Sequence, residues 1–221
     1  MSPRSLLYAI LAAGLVWLLL VSAPVQAHPH AWIDLEITLE RDGEGRITHM
    51  LHRWRFDPTY GQYLYEDALA HQEGATEEEK LQALAREILG NLEEYEWYSH
   101  VEAGGRAVDV AAEPDPSMRM EDGLLFFRFR LALDEPVDVG SETLAYKVYD
   151  PTYFIELLHE EPAGTRIVEA DGLAAAGCSA ELERPRPDPQ LVAKAMMLDY
   201  GATVDYDLGR HFAERVTVRC G

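Results

Sequence analysis

The sequence predicts an α+β fold that is mainly antiparallel β and sandwich-like, with two or three inserted helices. Many segments alternate apolar and polar residues or concentrate β-branched and aromatic residues, as strands do. Clusters of Gly, Asp and Pro separate these segments, as expected for turns. Only a few segments combine apolar residues at helical spacing with a capping residue in front, so helices are the minority element.

The predicted strands follow one another along most of the chain. The first two, residues 32–39 and 46–56, form a hairpin around the turn cluster at 42–45. The clearest strands are 124–131 and 143–149, because both are rich in aromatic and β-branched residues. The remaining predicted strands are short, and they are 95–103, 108–111, 165–169, 178–182 and 211–220.

Three helices are predicted between these strands. The first is short and covers residues 60–70. The second covers residues 76–90 and begins with a Thr-x-x-Glu capping box, in which each residue satisfies a backbone amide of the other. The third begins at Asp188, which is followed by a proline in the first turn, and ends before Gly201.

The first 27 residues have the pattern of a secretory signal peptide. A basic start precedes an apolar run, and small residues stand at the first and third positions before the cut predicted after Ala27. We therefore expect residues 28–221 to be periplasmic, without stable membrane insertion once the leader is removed. We expect them to form a single domain, with two pseudo-repeated β lobes as an alternative arrangement. An oxidising compartment favours a disulfide between Cys178 and Cys220.

The charge of the chain excludes two classes of partner. The formal net charge is −20, from 39 acidic and 19 basic side chains. Such a surface repels nucleic acid and anionic lipid, and it attracts cations. Keeping an exported protein soluble would explain the same acidity, so charge alone does not establish cation binding.

The residues that follow the predicted cut can bind a metal. Cleavage after Ala27 makes His28 the first residue, so its α-amine and its imidazole can chelate one ion, and the His30 imidazole can add a third nitrogen. Pro29 has no amide N–H, which excludes the copper or nickel mode that uses the amide of the second residue. Nitrogen-rich donors suit zinc, nickel, cobalt or copper, with zinc the first candidate. A simpler interpretation is a frayed, exposed terminus.

A sequence pattern that occurs twice in the chain supplies candidate oxygen ligands. Residues 54–60 and 147–153 share the pattern aromatic-Asp-Pro-Thr-Tyr, each at the end of a predicted strand. The shared pattern makes Asp57 and Asp150 the candidates, although Asp-Pro also begins many ordinary turns. Three further side chains are candidates to complete the site: Asp34, His52 and His100.

Several short motifs together resemble an exported bacterial family, domain of unknown function 1007. They are His28-Pro-His-Ala-Trp after the leader, Trp54-Arg-Phe-Asp57, Tyr149-Asp-Pro-Thr-Tyr-Phe154, and Phe212-Ala-Glu-Arg-Val-Thr-Val-Arg-Cys220. The resemblance implies a periplasmic companion of metal transport whose partner is a membrane metal permease or ABC transporter.

We therefore predict a periplasmic metal-binding protein, an accessory or substrate-binding component of a metal transporter, rather than an enzyme. The predicted ligands are His28, His30, Asp57 and Asp150. Nucleotide-binding and common hydrolase motifs do not occur in the sequence. Two alternatives stay open: a copper histidine-brace oxidase, and a metal-free module that binds a partner through the two Asp-Pro-Thr-Tyr turns.

Overall fold

The computed structural model of the protein describes residues 29–160, 164–169, 172, 174–198 and 207–221. Over these residues the fold is α+β, with two mostly antiparallel sheets and three α-helices, as predicted. The strands are β1 (Ala31–Arg41), β2 (Ile47–Phe56), β3 (Ser99–Ala103), β4 (Arg106–Val108), β5 (Val110–Ala112), β6 (Ser117–Glu121), β7 (Leu124–Val137), β8 (Leu144–Val148), β9 (Ile155–His159), β10 (Thr165–Val168), β11 (Cys178–Glu183) and β12 (Arg215–Cys220). The helices are α1 (Pro58–His71), α2 (Glu77–Asn91) and α3 (Pro189–Met196).

The two sheets share one hydrophobic core. The larger sheet has the order β10-β1-β2-β7-β5, with β6 against β7 and β9 against β1, and the smaller has the order β11-β12-β8-β3-β4. Strand β1 buries every second residue from Ala31 to Leu39, as the alternating pattern predicts for a strand with one face on the core. The core cluster takes Leu35 and Trp54 from the larger sheet and Tyr146 and Val216 from the smaller.

The start of β1 lies between two loops because of the strand order around it. Strand β2 runs antiparallel to β1, so its last residue, Phe56, pairs with Ile33 near the start of β1. Strand β9 runs parallel to β1 on the other side and pairs its first residue, Ile155, with Ala31. The segment that leaves β2 and the segment that enters β9 therefore meet at the same end of β1.

Three helices accompany the sheets, and the starts of α2 and α3 agree with the predicted capping residues. Helix α1, for which no cap was predicted, begins at Pro58, two residues before the predicted start. In α2, the Thr76 side chain accepts from the Glu79 amide while the Glu79 side chain accepts from the Thr76 amide, which is the predicted capping box. Asp188 caps α3 through the amide of Gln190. Helix α3 ends at Met196, earlier than the predicted stop at Gly201, which itself lies outside the described residues. None of the helices in the described ranges is both long and apolar enough to cross a membrane.

Residues 95–98, predicted to begin a strand, instead belong to a 3₁₀ segment, Glu93–Tyr98. Glu96, Trp97 and Tyr98 have positive φ angles of 52°, 48° and 58°, a left-handed conformation that side chains other than glycine rarely adopt. The turn lets the Tyr98 ring stack on Trp54 in the core, with ring centroids 6.2 Å apart. Burial of this aromatic side chain outweighs the local preference for an extended chain.

Two strands, β6 and β9, occur where none was predicted, and the last strand begins later than predicted. Both are five residues long. Strand β6 forms a tight hairpin with β7 across Asp122-Gly123, a turn signal that was not used in predicting the strands, whereas β9 is stabilised by pairing with the distant strand β1, which local patterning does not reveal. Before β12, residues Gly209–His211 form a 3₁₀ turn. The strand predicted from residue 211 therefore begins at Arg215.

The predicted disulfide joins Cys178 to Cys220. The two cysteines lie directly opposite each other at one end of the β11–β12 ladder. The bond therefore ties the end of the chain to the edge of the smaller sheet.

Candidate functional site

His30 is anchored immediately before β1. Its backbone amide donates to the carbonyl oxygen of Phe154 at 2.8 Å, and its ring lies against the Phe154 ring with centroids 4.7 Å apart. Its side chain is half-buried. The other predicted histidine ligand, His28, lies outside the described residues. The structure therefore positions one histidine of the pair, at the junction between β1 and the loop that enters β9.

Asp57 joins the segment after β2 to β1. Its Oδ1 accepts from the amides of Thr59 and Tyr60 at 3.0 Å each, which caps helix α1. Its Oδ2 accepts from the amide of Trp32 at 3.3 Å, and its own amide donates to the Trp32 carbonyl at 3.0 Å. The half-buried carboxylate thus contacts the chain two residues beyond His30, and among the described residues its Oδ2 accepts this one long hydrogen bond.

Asp150 organises the loop that holds His30. The residue is 2% exposed. Its Oδ1 accepts from the amide and hydroxyl of Thr152, each at 2.8 Å, and its Oδ2 accepts from the amides of Phe154 and Ile155 at 3.0 Å. These bonds fold residues 150–155 around the carboxylate and fix Phe154, whose carbonyl and ring contact His30. The carboxylate is turned toward its own loop.

The two Asp-Pro-Thr-Tyr copies therefore begin alike and continue differently. Both aspartates accept from the amide two residues ahead, and both loops reach the start of β1. The first copy continues into α1, whereas the second crosses from β8 of the smaller sheet to β9 of the larger. Within the described residues, His, Cys, Asp and Glu side chains form no group of three or more that could hold a metal ion.

The second loop is also packed from outside by the C-terminal segment. Gly209 donates its amide to the carbonyl of Pro151 at 3.1 Å. The ring of Tyr153 stacks on that of Phe212 with centroids 4.0 Å apart, and Tyr153, Leu208 and Ala195 of α3 form a small hydrophobic cluster. The loop that holds His30 is thereby fixed by elements far apart in sequence.

The three further candidate ligands, Asp34, His52 and His100, each contact other residues. Asp34 forms an ion pair with Arg55, whose Nε and Nη2 both donate to Asp34 Oδ2, at 3.0 and 2.5 Å. His52 is buried in the core, where its Nδ1 accepts from the indole of Trp54 at 3.3 Å. His100 stacks on Tyr149 at 4.5 Å on the smaller sheet, and burial lowers its pKa. None of these histidine or aspartate side chains joins His30 in a group of ligands.

Sequence reasoning missed one carboxylate beside the start of β1. Glu156 lies opposite Trp32 in the β1–β9 register, where its two oxygens accept from the Trp32 indole at 3.0 Å and from the Tyr153 hydroxyl at 3.2 Å. Trp32 itself is 47% exposed. The only available signal was the position of Glu156 directly after the second motif, because β9 was not predicted.

A buried network of hydrogen-bonded side chains that connects the two sheets was also not predicted from the sequence. The Glu214 carboxylate accepts from the amide and the ring Nδ1 of His159, at 2.7 and 3.0 Å. The other ring nitrogen lies 3.1 Å from the Tyr146 hydroxyl, which lies 2.7 Å from the Thr165 hydroxyl. Burial raises the pKa of Glu214, but the hydrogen bonds from His159, together with the charges of His159 and Arg184, lower it below its ordinary value. This hydrogen-bonded network gives each of these polar side chains a partner, without which burying them would be costly.

Comparisons with known proteins identify the family. A sequence model for the family described as Protein of unknown function (DUF1007) matches residues 13–220. An "Uncharacterized protein" from Haemophilus influenzae is 27% identical over 206 residues, 91% of this chain and 95% of that protein. An "Uncharacterized 15.5 kDa protein in trpE 3'region" from Spirochaeta aurantia is 24% identical over 99 residues, 45% of this chain and 70% of that protein. Because the family model covers almost the whole chain, the protein belongs to the DUF1007 family.

Proposed function

We propose that this member of the DUF1007 family is a periplasmic protein that binds a divalent transition metal as cargo for a membrane permease or ABC transporter. Zinc is the first candidate, and nickel, cobalt and copper share the required ligand chemistry. The donors are the amine and ring of His28, the ring of His30 and a carboxylate oxygen of Asp57. The observation that carries the proposal is the anchoring of His30 on the Asp150 loop, two residues before Trp32, whose backbone the Asp57 loop contacts.

Covalent geometry supports this set of donors. The α-carbons of residues 28 and 30 lie at most about 7 Å apart, because each extended residue spans about 3.5 Å. This short separation allows a free amine at His28 and the His30 ring, which packs against Phe154, to bind one ion. Asp57 Oδ2 contacts the next part of β1 and has spare acceptor capacity. Three nitrogens and one oxygen suit a four-coordinate zinc ion.

Asp150 acts in this proposal through the loop it folds. Its carboxylate oxygens accept four backbone or hydroxyl hydrogens, and binding a metal would require several of these bonds to break. The loop in turn supplies the Phe154 carbonyl and ring that hold His30. Asp150 is therefore assigned a positioning role.

The test is metal binding by tag-free protein whose N-terminus at His28 is confirmed by mass spectrometry. We expect about one metal ion per chain. His28→Ala, His30→Ala and an added residue before His28 should each weaken binding at least about tenfold, because each removes or blocks a donor. Asp57→Asn should also weaken binding while keeping the fold, because asparagine caps a helix as well as aspartate does.

The matched control is His71→Ala. His71 is exposed, lies at the end of α1 and pairs with Asp67, four residues before it on the same helix. Its removal should leave the metal affinity unchanged. Equal affinity and stoichiometry in the His28, His30 and control variants would disprove the site, and metal-free protein throughout would favour the partner-binding module instead. Reductant-dependent peroxide production by copper-loaded protein would favour the oxidase.

A further inference from the structure

A basic cavity lies on the smaller sheet. Its volume is about 710 Å³, and its walls come from β8, β11, β12, the connector after β11 and the turn Gly209–His211. One acidic side chain, Glu183, lines it, against five of the nineteen Lys and Arg residues of the chain. These five are Lys147, Arg184, Arg186, Arg210 and Arg215. Such a concentration stands out in a chain with a formal net charge of −20.

Basic residues on the larger sheet are arranged differently. There Arg53 lies between Glu36 and Glu121, and Arg130 lies between Glu40 and Glu113, with ion-pair distances from 2.5 to 3.6 Å. Each guanidinium has carboxylates on two sides, as expected for a solvated face whose charges cancel. These two guanidinium groups already have carboxylate partners and do not need an additional anion.

In the cavity, two cations have no carboxylate partner within the described part of the chain. The Lys147 ammonium makes its hydrogen bond to the carbonyl oxygen of Arg210 at 3.4 Å, and Arg186 is exposed and forms no ion pair there. The arginines nearest Lys147 each use one acidic partner outside the cavity, Asp207 for Arg210 and Glu102 for Arg215.

The electrostatics at Lys147 agree with this arrangement. Burial lowers its pKa, and the positive charges of Arg215 and Arg210 lower it further. An anion held among these groups would oppose all three effects. Arg184, Arg210 and Arg215 each have a carboxylate partner. Lys147 and Arg186 have none within the described residues, so a bound anion would offset the cost of placing these two cations in a partly enclosed space.

We propose that this cavity binds a small ligand that carries two or more carboxylate or phosphate groups. Guanidinium groups bind both kinds of oxyanion with paired hydrogen bonds, and an ammonium adds a compact charge. The volume is in the range of small-molecule sites. The overall negative charge of the protein repels long polyanions, so the ligand is small.

Isothermal titration calorimetry with citrate, pyrophosphate and inorganic phosphate tests the proposal. Protein and buffers are freed of metal on a chelating resin, and ionic strength is held constant, so the result does not depend on the metal site. We expect saturable binding, with about one ligand per chain, of citrate or pyrophosphate, and weaker binding of inorganic phosphate, which carries a single group. A preference for citrate identifies a carboxylate ligand, and a preference for pyrophosphate identifies a phosphate ligand.

Lys147→Gln and Arg186→Gln should each lower the affinity for the preferred probe at least about tenfold. The matched control is Arg119→Gln, which changes the net charge equally at an exposed position on β6 of the larger sheet. Circular dichroism and thermal melting check that each variant is folded. Absence of saturable binding for every probe, unchanged binding in both cavity variants, or an equal loss in Arg119→Gln would overturn the proposal.

Discussion

Gly209 and Asp150 are in such close contact that no side chain fits between them. A methyl group on Gly209 would lie 1.9 Å from the carbonyl oxygen of Asp150, far inside any van der Waals contact. The contact presses the 3₁₀ turn before β12 onto the loop that holds Phe154, and through it His30. The C-terminal segment therefore supports the N-terminal site, although the two are at opposite ends of the chain.

Gly209→Ala should destabilise the protein by roughly 2–4 kcal/mol, because the backbone of one segment must move to admit the methyl group. Urea unfolding measures the change. Gly90→Ala in α2 is the matched control, since nothing lies within 4 Å of the added methyl group there. Alanine favours a helix over glycine by up to about 1 kcal/mol, so the control should be neutral or slightly stabilising. Equal stability of the two variants would contradict the packing argument.

The stability of the fold should fall in acid partly because of His52. The Trp54 indole only donates hydrogen bonds, so the Nδ1 atom that it contacts is unprotonated in the folded protein. Burial, with a smaller contribution from the charge of His159, lowers the pKa of His52 from 6.5 to about 3. Between these values the unfolded chain binds a proton that the folded protein does not, so the free energy of unfolding decreases as the pH falls. At pH 4 the loss is on the order of 3 kcal/mol.

Urea unfolding at a series of pH values from 7 to 4 measures this effect. His52→Gln should have a smaller pH dependence than the unmodified protein, because its side chain does not titrate. His49→Gln is the control, since His49 is half-buried on the opposite face of the same strand. Identical pH dependence in the His52 variant and the unmodified protein would show that this side chain does not carry the effect.

Glu214→Gln should lower the free energy of unfolding by about 2 kcal/mol at neutral pH. The Gln side chain is a weaker hydrogen-bond acceptor than the Glu214 carboxylate, which accepts from the backbone N–H and the ring of His159. The hydrogen bonds from His159 hold the pKa of Glu214 below 4.5. Its contribution to stability is therefore present above pH 4.5 and is lost as the pH falls through the lower folded-state value. A double-mutant cycle with His159→Gln measures the coupling, and Glu183→Gln is an exposed control. Additive effects of the two substitutions would contradict the coupling.

Removal of the disulfide should cost about 4 kcal/mol, because the bond closes a loop over a separation of 42 residues. Urea unfolding of a double variant, Cys178→Ser with Cys220→Ser, measures the loss. Reduction of the unmodified protein should reproduce it. Equal stability of the oxidised protein and the variant would mean that the β11–β12 ladder holds the end of the chain without the bond.

Local patterns predicted the elements whose stability is itself local. The hairpin of β1 and β2, the capping box at Thr76 and the cap at Asp188 were all predicted correctly, because each joins segments that are adjacent in the sequence. The alternation in β1 likewise predicted which of its faces is buried. Strand β9 was missed because its pairing with β1 joins residues more than a hundred positions apart.

At the candidate site, the sequence by itself determined the available chemistry: two histidines after a predicted cleavage site and two aspartates in matching turns. Only the tertiary structure decided how those groups are used. The order of strands around β1 brings both turns to the start of this strand, next to His30, while backbone amides near Asp150 donate to its carboxylate. The physical reason is that a buried carboxylate must have its hydrogen bonds satisfied, and burial depends on the packing of the whole chain.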